Sequence, residues 1–149
     1  MSEKTSQLWA GKVKSGVYRF SSHTSTDSLC AEASKAGWLC YHIDGATVKD
    51  KAAFLSAVAT SLHFPAYFSH NWDALEECLR DLSWEHPEQA KGILILYHDV
   101  DRFAKAHLQD WAVALDILKS AMTFWRKSRR PMIVLLRGDA SSASDAPEF

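Results

Sequence analysis

Cysteine is scarce in this chain: Cys30, Cys40 and Cys78 are the only three in 149 residues. Their odd number and wide spacing match neither a disulfide framework nor a CxxC metal knuckle. The expectation is three reduced, largely buried thiols in a cytoplasmic protein. No run approaches the roughly 18 consecutive apolar residues of a membrane span. The start, MSEKTSQLWAGKVKSG, has no apolar stretch that reads as a secretion signal. Neither sign of charge is in excess, since 17 Lys and Arg against 18 Asp and Glu leave a net charge of −1. That balance excludes a strongly basic nucleic-acid binder on bulk electrostatics. No internal repeat, P-loop, dinucleotide fingerprint or nucleophile elbow occurs, and the seven histidines form no HxxxH or HExxH pair. No cofactor and no metal are expected.

What is present suffices for one folded domain. A chain of this length buries about 70% of the surface its unfolded form exposes, so it needs no cross-link to hold a core. GVYRF, Gly16 to Phe20, reads as a short strand. SSHTSTDS then supplies N-cap residues for a helix with Leu29, Cys30, Ala33 and Ala36 on one side, and Gly37 stands where a helix-ending glycine belongs. WLCYHI (Trp38 to Ile43) is the next strand, closed by the turn pair Asp44-Gly45. Asp50 opens a helix carrying Phe54, Leu55, Val58 and Leu62 at helical spacing, and Pro65 bars its continuation. ILILYH (Ile93 to His98) and MIVLLR (Met132 to Arg137) are unbroken apolar runs, the pattern of strands covered on both faces. A long helix with Leu108, Trp111, Leu115 and Leu118 on one seam lies between them. Such alternation predicts an α/β layer fold with a parallel sheet. Residues 139–149 are small and polar and read as a disordered tail.

The segment FSHNWDALEECL, Phe68 to Leu79, sets Asp73, Glu76 and Glu77 on one helix face at i, i+3 and i+4. Like charges so spaced destabilise a helix by roughly 0.2–0.5 kcal/mol per pair. The opposite face, Leu75, Cys78, Leu79 and Leu82, is a core stripe, so the acids project outward. From Phe64 to Glu85 five acids (Asp73, Glu76, Glu77, Asp81, Glu85) face one base, Arg80. From Ile117 to Arg137 the balance reverses with Lys119, Arg126, Lys127, Arg129, Arg130 and Arg137. On the plain reading, Asp73 complements the helix dipole and the glutamates solvate a surface. The sharper reading is that the face meets a cation-rich partner, such as the phosphate-holding cleft of a nuclease. Tyr67, Phe68 and Trp72 stand beside it as aromatic anchors of the kind that dominate interfaces.

At these residues the chain resembles the barstar family, intracellular inhibitors of barnase-like ribonucleases. FPAYFSHNWDALEECL is similar to the family's inhibitory segment: a proline before an aromatic pair, Asn-x-Asp-Ala-Leu at a helix start, then acid-Cys-Leu. HIDGATV, DKAAFLSAVATSLHF, ILILYHDV and MIVLLRG resemble the family's first strand and glycine turn, first helix, middle strand and last strand, in that order. The resemblance covers roughly Trp38 to Arg137. It implies a barstar-like three-layer α/β fold whose small parallel sheet has three strands flanked by helices. It implies domain bounds of 37–138, with residues 1–36 as an extension offering a fourth strand and one helix. The implied activity is non-enzymatic: plugging the active site of a barnase-like ribonuclease or related nuclease toxin, as its immunity protein. Contact residues implied by position are Tyr67, Asn71, Asp73 and Glu77; His70, Phe68, Trp72 and Glu76 join them by adjacency. The family prototype has a tryptophan at the position of Glu76, an aspartate at that of Glu77, and another acidic contact where this chain reads Lys119-Ser120. These departures alter which enzyme is recognised more than what is done to it. No direct contact with nucleic acid and none with a membrane is implied.

Other chemistry is thinner. His98-Asp99-Val100-Asp101 follows a strand directly, so Asp99 and Asp101 could hold a divalent metal and make a small hydrolase. Alternatively Asp101 caps a short helix beginning near Arg102. The acidic face would also suit a recognition module for some other basic protein. WRKSRRP reads as a solvated helix end whose cations suit the dipole.

Overall fold

The computed structural model describes residues 3–138 and 146–149. Ten elements follow in chain order: α1 (Glu3–Trp9), β1 (Gly16–Arg19), α2 (Thr26–Lys35), β2 (Trp38–Asp44), α3 (Lys51–Ser61), α4 (Trp72–Asp81), β3 (Gly92–His98), α5 (Asp101–Ala106), α6 (Leu108–Trp125) and β4 (Met132–Arg137). Helix starts obey local chemistry. Ser25, Asp50 and Asn71 each turn a side-chain oxygen onto a backbone N–H of the first turn, capping α2, α3 and α4. Gly37 closes the segment after α2 at φ +84°, the left-handed region that favours glycine.

All four strands are parallel, in the order β1-β4-β3-β2. The fourth strand is thus β1, from the N-terminal extension, added beside β4. One face of the sheet carries Tyr41, Ile43, Ile93, Ile95, Tyr97, Met132, Val134 and Leu136, and packs with Phe54, Leu79, Phe103 and Leu118 of α3 to α6. The other face carries Leu94, Leu96, Ile133 and Leu135 and is covered by Leu8, Trp9, Leu29 and Ala33 of α1 and α2. Both faces of β3 and β4 are therefore dry, as their unbroken apolar runs require.

The N-terminal segment holds two helices where one was expected. Helix α1 is only seven residues long, too short to display two periodic turns. It is nonetheless fastened: Leu8 and Trp9 are buried, and the Trp9 indole packs edge-on against Trp38.

Two expectations are corrected. Cys30 and Cys40 form a disulfide joining α2 to β2, with their Cα atoms 5.5 Å apart. Spacing along the chain hid it because the bridge depends on α2 folding back over β2; only Cys78 remains a free, buried thiol. Of the tail read as disordered, residues 139–145 lie outside the described residues. Residues 146–149 are placed against β1: the Arg19 N–H donates to the Pro147 carbonyl, and the Phe149 N–H to that of Arg19, both at 2.8 Å. The outer edge of β1 offers unmatched backbone groups, and the Phe149 ring docks against Tyr18 and Phe20.

Tyr97 is buried to 1% exposure in the helical core, and its hydroxyl has no hydrogen-bond partner among the described residues. A buried orphan hydroxyl costs more than its ring gains from it. Tyr97→Phe is accordingly expected to leave stability unchanged or raise it by up to about 1 kcal/mol, read from urea unfolding. A loss of stability would show an uncounted partner for the hydroxyl. Among the described residues no helix is long and apolar enough to cross a membrane.

Candidate functional site

The site is built on the loop between α3 and α4 and on α4 itself. Leu75, Cys78, Leu79 and Leu82 seat α4 on the core, all nearly fully buried. Leu82 ends the helix in the left-handed region at φ 51°. That conformation costs a non-glycine residue roughly 1–2 kcal/mol, which full burial of a leucine side chain, worth about 1.5–3 kcal/mol, covers. The helix is thereby stopped and fixed at both ends.

In the loop, Phe64 packs edge-on against both Phe68 and Trp84, and a turn runs from the Pro65 carbonyl to the Phe68 N–H. Phe68, read from sequence as a contact residue, is instead 6% exposed: it is the pedestal of the loop, claimed by Phe64. Its burial forces neighbouring Tyr67 outward, to 69% exposure. His70, at φ 53°, lays its ring over Phe68 at 4.6 Å. Asn71 spends its side-chain oxygen on capping α4, accepting from the Ala74 N–H at 2.8 Å. Trp72 is half-buried against Phe54, with the Lys51 ammonium 4.8 Å over its ring.

The acids divide into two sets. Asp73, Glu77 and Asp81 are exposed, and among the described residues none of them takes part in a salt bridge. At i, i+4 and i+8 they form a row of fixed negative charges about 6 Å apart along the axis. Glu76 is half-buried and accepts a hydrogen bond from Ser120 Oγ of α6 at 2.7 Å. Glu85 leaves the acidic face altogether, meeting His63 Nδ1 at 2.7 Å and the Tyr41 hydroxyl. Arg80, the one base among these acids, turns to α6, its guanidinium 4.9 Å over the Phe124 ring. Asp81 is not among the contact residues expected from sequence, although continuing the Asp73–Glu77 step by one more turn reaches it.

A recess of about 160 Å³ beside the row is lined by Tyr67, Phe68, Ser69, Ala74, Glu77, Cys78 and Asp81. Burial, then the carboxylates of Asp81 and Glu77, push the Cys78 thiol up. It stays protonated and is a packing group rather than a nucleophile.

A family model described as Barstar (barnase inhibitor) matches residues 38–137, most of the chain. This chain belongs to the barstar family. Its membership is in a family of inhibitors, and the acidic row with its loop lies inside the matched span. No curated protein matches the chain. Among solved structures it is similar to the ORC2 protein of Aeropyrum pernix (TM-score 0.53, 12% identity, 93% of this chain and 39% of that one). It is also similar to CDC6P from Pyrobaculum aerophilum (TM-score 0.52, 14% identity, 96% and 39%). This barstar-family chain spans 39% of the length of either, and at such identity the likeness is one of fold alone.

Two further sequence readings are revised. Asp101 is the first residue of α5, with Val100 at the cap position and no side-chain cap bond; its carboxylate lies beside Gly138. Asp99 turns back to His98, and those two join Asp44.

Burial first, then the bond to Glu85 and its charge, push the Tyr41 hydroxyl well above the ordinary phenol range; burial alone does so for Tyr97. In the unfolded chain both phenols ionise near pH 10. Stability tied to them is present in full below about pH 10 and is lost as pH rises beyond it, because only the unfolded state releases these protons. Urea midpoints should fall between about pH 9 and pH 11, and less steeply in Tyr41→Phe. An equal fall in the variant would remove Tyr41 from the account.

Proposed function

We propose that this barstar-family protein inhibits a barnase-like ribonuclease or related nuclease toxin by occluding its active site. Asp73 and Glu77 would take the places of RNA phosphates before the cations of the enzyme's cleft, with Asp81 extending the row. Tyr67 would pack on the rim, flanked by His70 and the edge of Trp72, while Asn71 holds the helix start. Glu76, tied to Ser120, contributes charge more than contact. One observation carries the reading: α4 presents exposed carboxylates that form no salt bridge among the described residues, on a helix locked to the core. Repulsion along the row is a standing cost that a cationic partner relieves. An interface of ordinary size would bury about 800 Å² on each side, and complementary charge would speed association in a salt-dependent way.

Such an inhibitor acts in the cytoplasm, where the RNA to be protected lies. Disulfides persist mainly in oxidising compartments, so the Cys30–Cys40 pair would stand there as thiols. The direct test is titration of the purified chain into barnase-like ribonucleases cleaving RNA. The expected result is loss of activity with one-to-one stoichiometry for at least one enzyme, and association that slows as salt is raised. Full activity at excess inhibitor across the set would end the proposal.

A further inference from the structure

The register of β2 and β3 sets Asp44 opposite His98 at the carboxyl ends of both strands, the region where open α/β sheets place their ligands. His98 Nε2 is 3.6 Å from Asp44 Oδ1, and His98 Nδ1 is 3.1 Å from Asp99 Oδ2. The three residues bring one donor atom each to within 4.8 Å of one another. The imidazole is held in place, stacked on His42 at 4.3 Å with the rings 7° from parallel. Below it the chain is equally constrained. A methyl group on Gly45 would strike the backbone carbonyls of His98 and Asp99, and Asp99 is held at φ 54°.

We propose that Asp44, His98 and Asp99 form a binding site for a divalent transition-metal ion, Zn²⁺ or one of similar preference. Such ions bind imidazole nitrogen and carboxylate oxygen at about 2.0–2.2 Å, which puts tetrahedral donor atoms roughly 3.3 Å apart. Asp44 already stands near that distance from Nε2. The carboxylate of Asp99 faces the other nitrogen, and its side chain, 63% exposed, is free to swing across. A mixed imidazole–carboxylate set favours Zn²⁺, Co²⁺ or Ni²⁺ over Mg²⁺ and Ca²⁺. Arg137 donates to the Thr24 carbonyl and lies over the face of Phe20, while its charge also acts on Asp99. His98 follows Tyr97 on the strand and so lies toward the α1–α2 side, whereas α4 packs on the other. The site is therefore separate from the acidic row, and an ion bound there would tie the ends of two strands together.

The experiment is calorimetric titration of ZnCl₂ into the untagged full-length chain in metal-free buffer, with a thermal melt at each end point. One equivalent taken up, a raised melting temperature, and affinity reduced at least about tenfold in both His98→Ala and Asp44→Asn are the expected results. His86→Ala, at an exposed loop histidine, should bind like the parent. Uptake by the parent no tighter than by Asp44→Asn, or equal loss in His86→Ala, would overturn the proposal, whether or not His98→Ala folds. Ribonuclease inhibition plays no part in the readout.

Discussion

Glu77→Ala and Asp73→Ala should each weaken the complex with the target ribonuclease by roughly 2–5 kcal/mol, a general range for truncating one member of a buried charge pair, complexes of this family among them. The loss has two sources. The attraction itself disappears, and the enzyme's cation stays desolvated without a counter-charge. Folding should respond far less and in opposite senses. Glu77 has no cation within salt-bridge reach among the described residues and repels its neighbours, so removing it should stabilise α4 by about 0.2–0.5 kcal/mol. Asp73 sits in the first turn of α4, where a carboxylate is worth roughly 0.3–1 kcal/mol against the helix dipole, so its removal should cost that much. Glu76→Ala should disturb binding less than either, because its carboxylate is already committed to Ser120. Binding and unfolding measured on the same three variants separate a docking face from a merely solvated one. Variants that bind as tightly as the parent would leave the acidic row without a partner.

Reducing the Cys30–Cys40 bridge should destabilise the fold by roughly 2–3 kcal/mol, from the loop-closure entropy returned to an unfolded chain with cysteines ten residues apart. For a chain of this size that is a fall of about 5–10 °C in Tm. The bridge anchors α2, whose Leu29 and Ala33 cover the second face of the sheet, so the loss should concentrate there. Amide exchange ought to quicken in α2 and along β2 before it does in α4. The proposed inhibition would depend on the opposite side, so it should survive reduction at temperatures where the fold holds. Melting curves with and without reductant decide it, and Cys30→Ser should behave as the reduced parent. Coincident curves would mean that the bridge restrains nothing.

The features legible from sequence share one property: each is determined by residues close together along the chain. Asn71 caps α4 because its oxygen lies within reach of the next turn. Leu75, Cys78, Leu79 and Leu82 share a face through helical periodicity, and Gly37 takes the left-handed conformation that ends a helix. The runs in β3 and β4 announced a sheet covered on both sides, though not what would cover the second. The contact set was less legible. Tyr67 and Phe68 are adjacent and chemically alike, yet only packing by Phe64 sends one inward and leaves the other exposed. Glu76 and Glu77 read alike as contact residues until Ser120 of α6 took the first, and Glu85, counted with the acids of this segment, is taken by His63 and Tyr41.

By itself, then, the sequence determined the strands, the helices other than α1, the parallel layering and a helix with acids on its outer side, since side-chain period and capping act over a few residues. Tertiary structure alone decided which of those acids remain unpaired, that Cys30 meets Cys40, that α1 and the chain end at Phe149 are anchored, and that Asp99 joins Asp44 and His98. Those outcomes hinge on segments distant in sequence coming to lie against one another, and spacing along the chain carries no record of that.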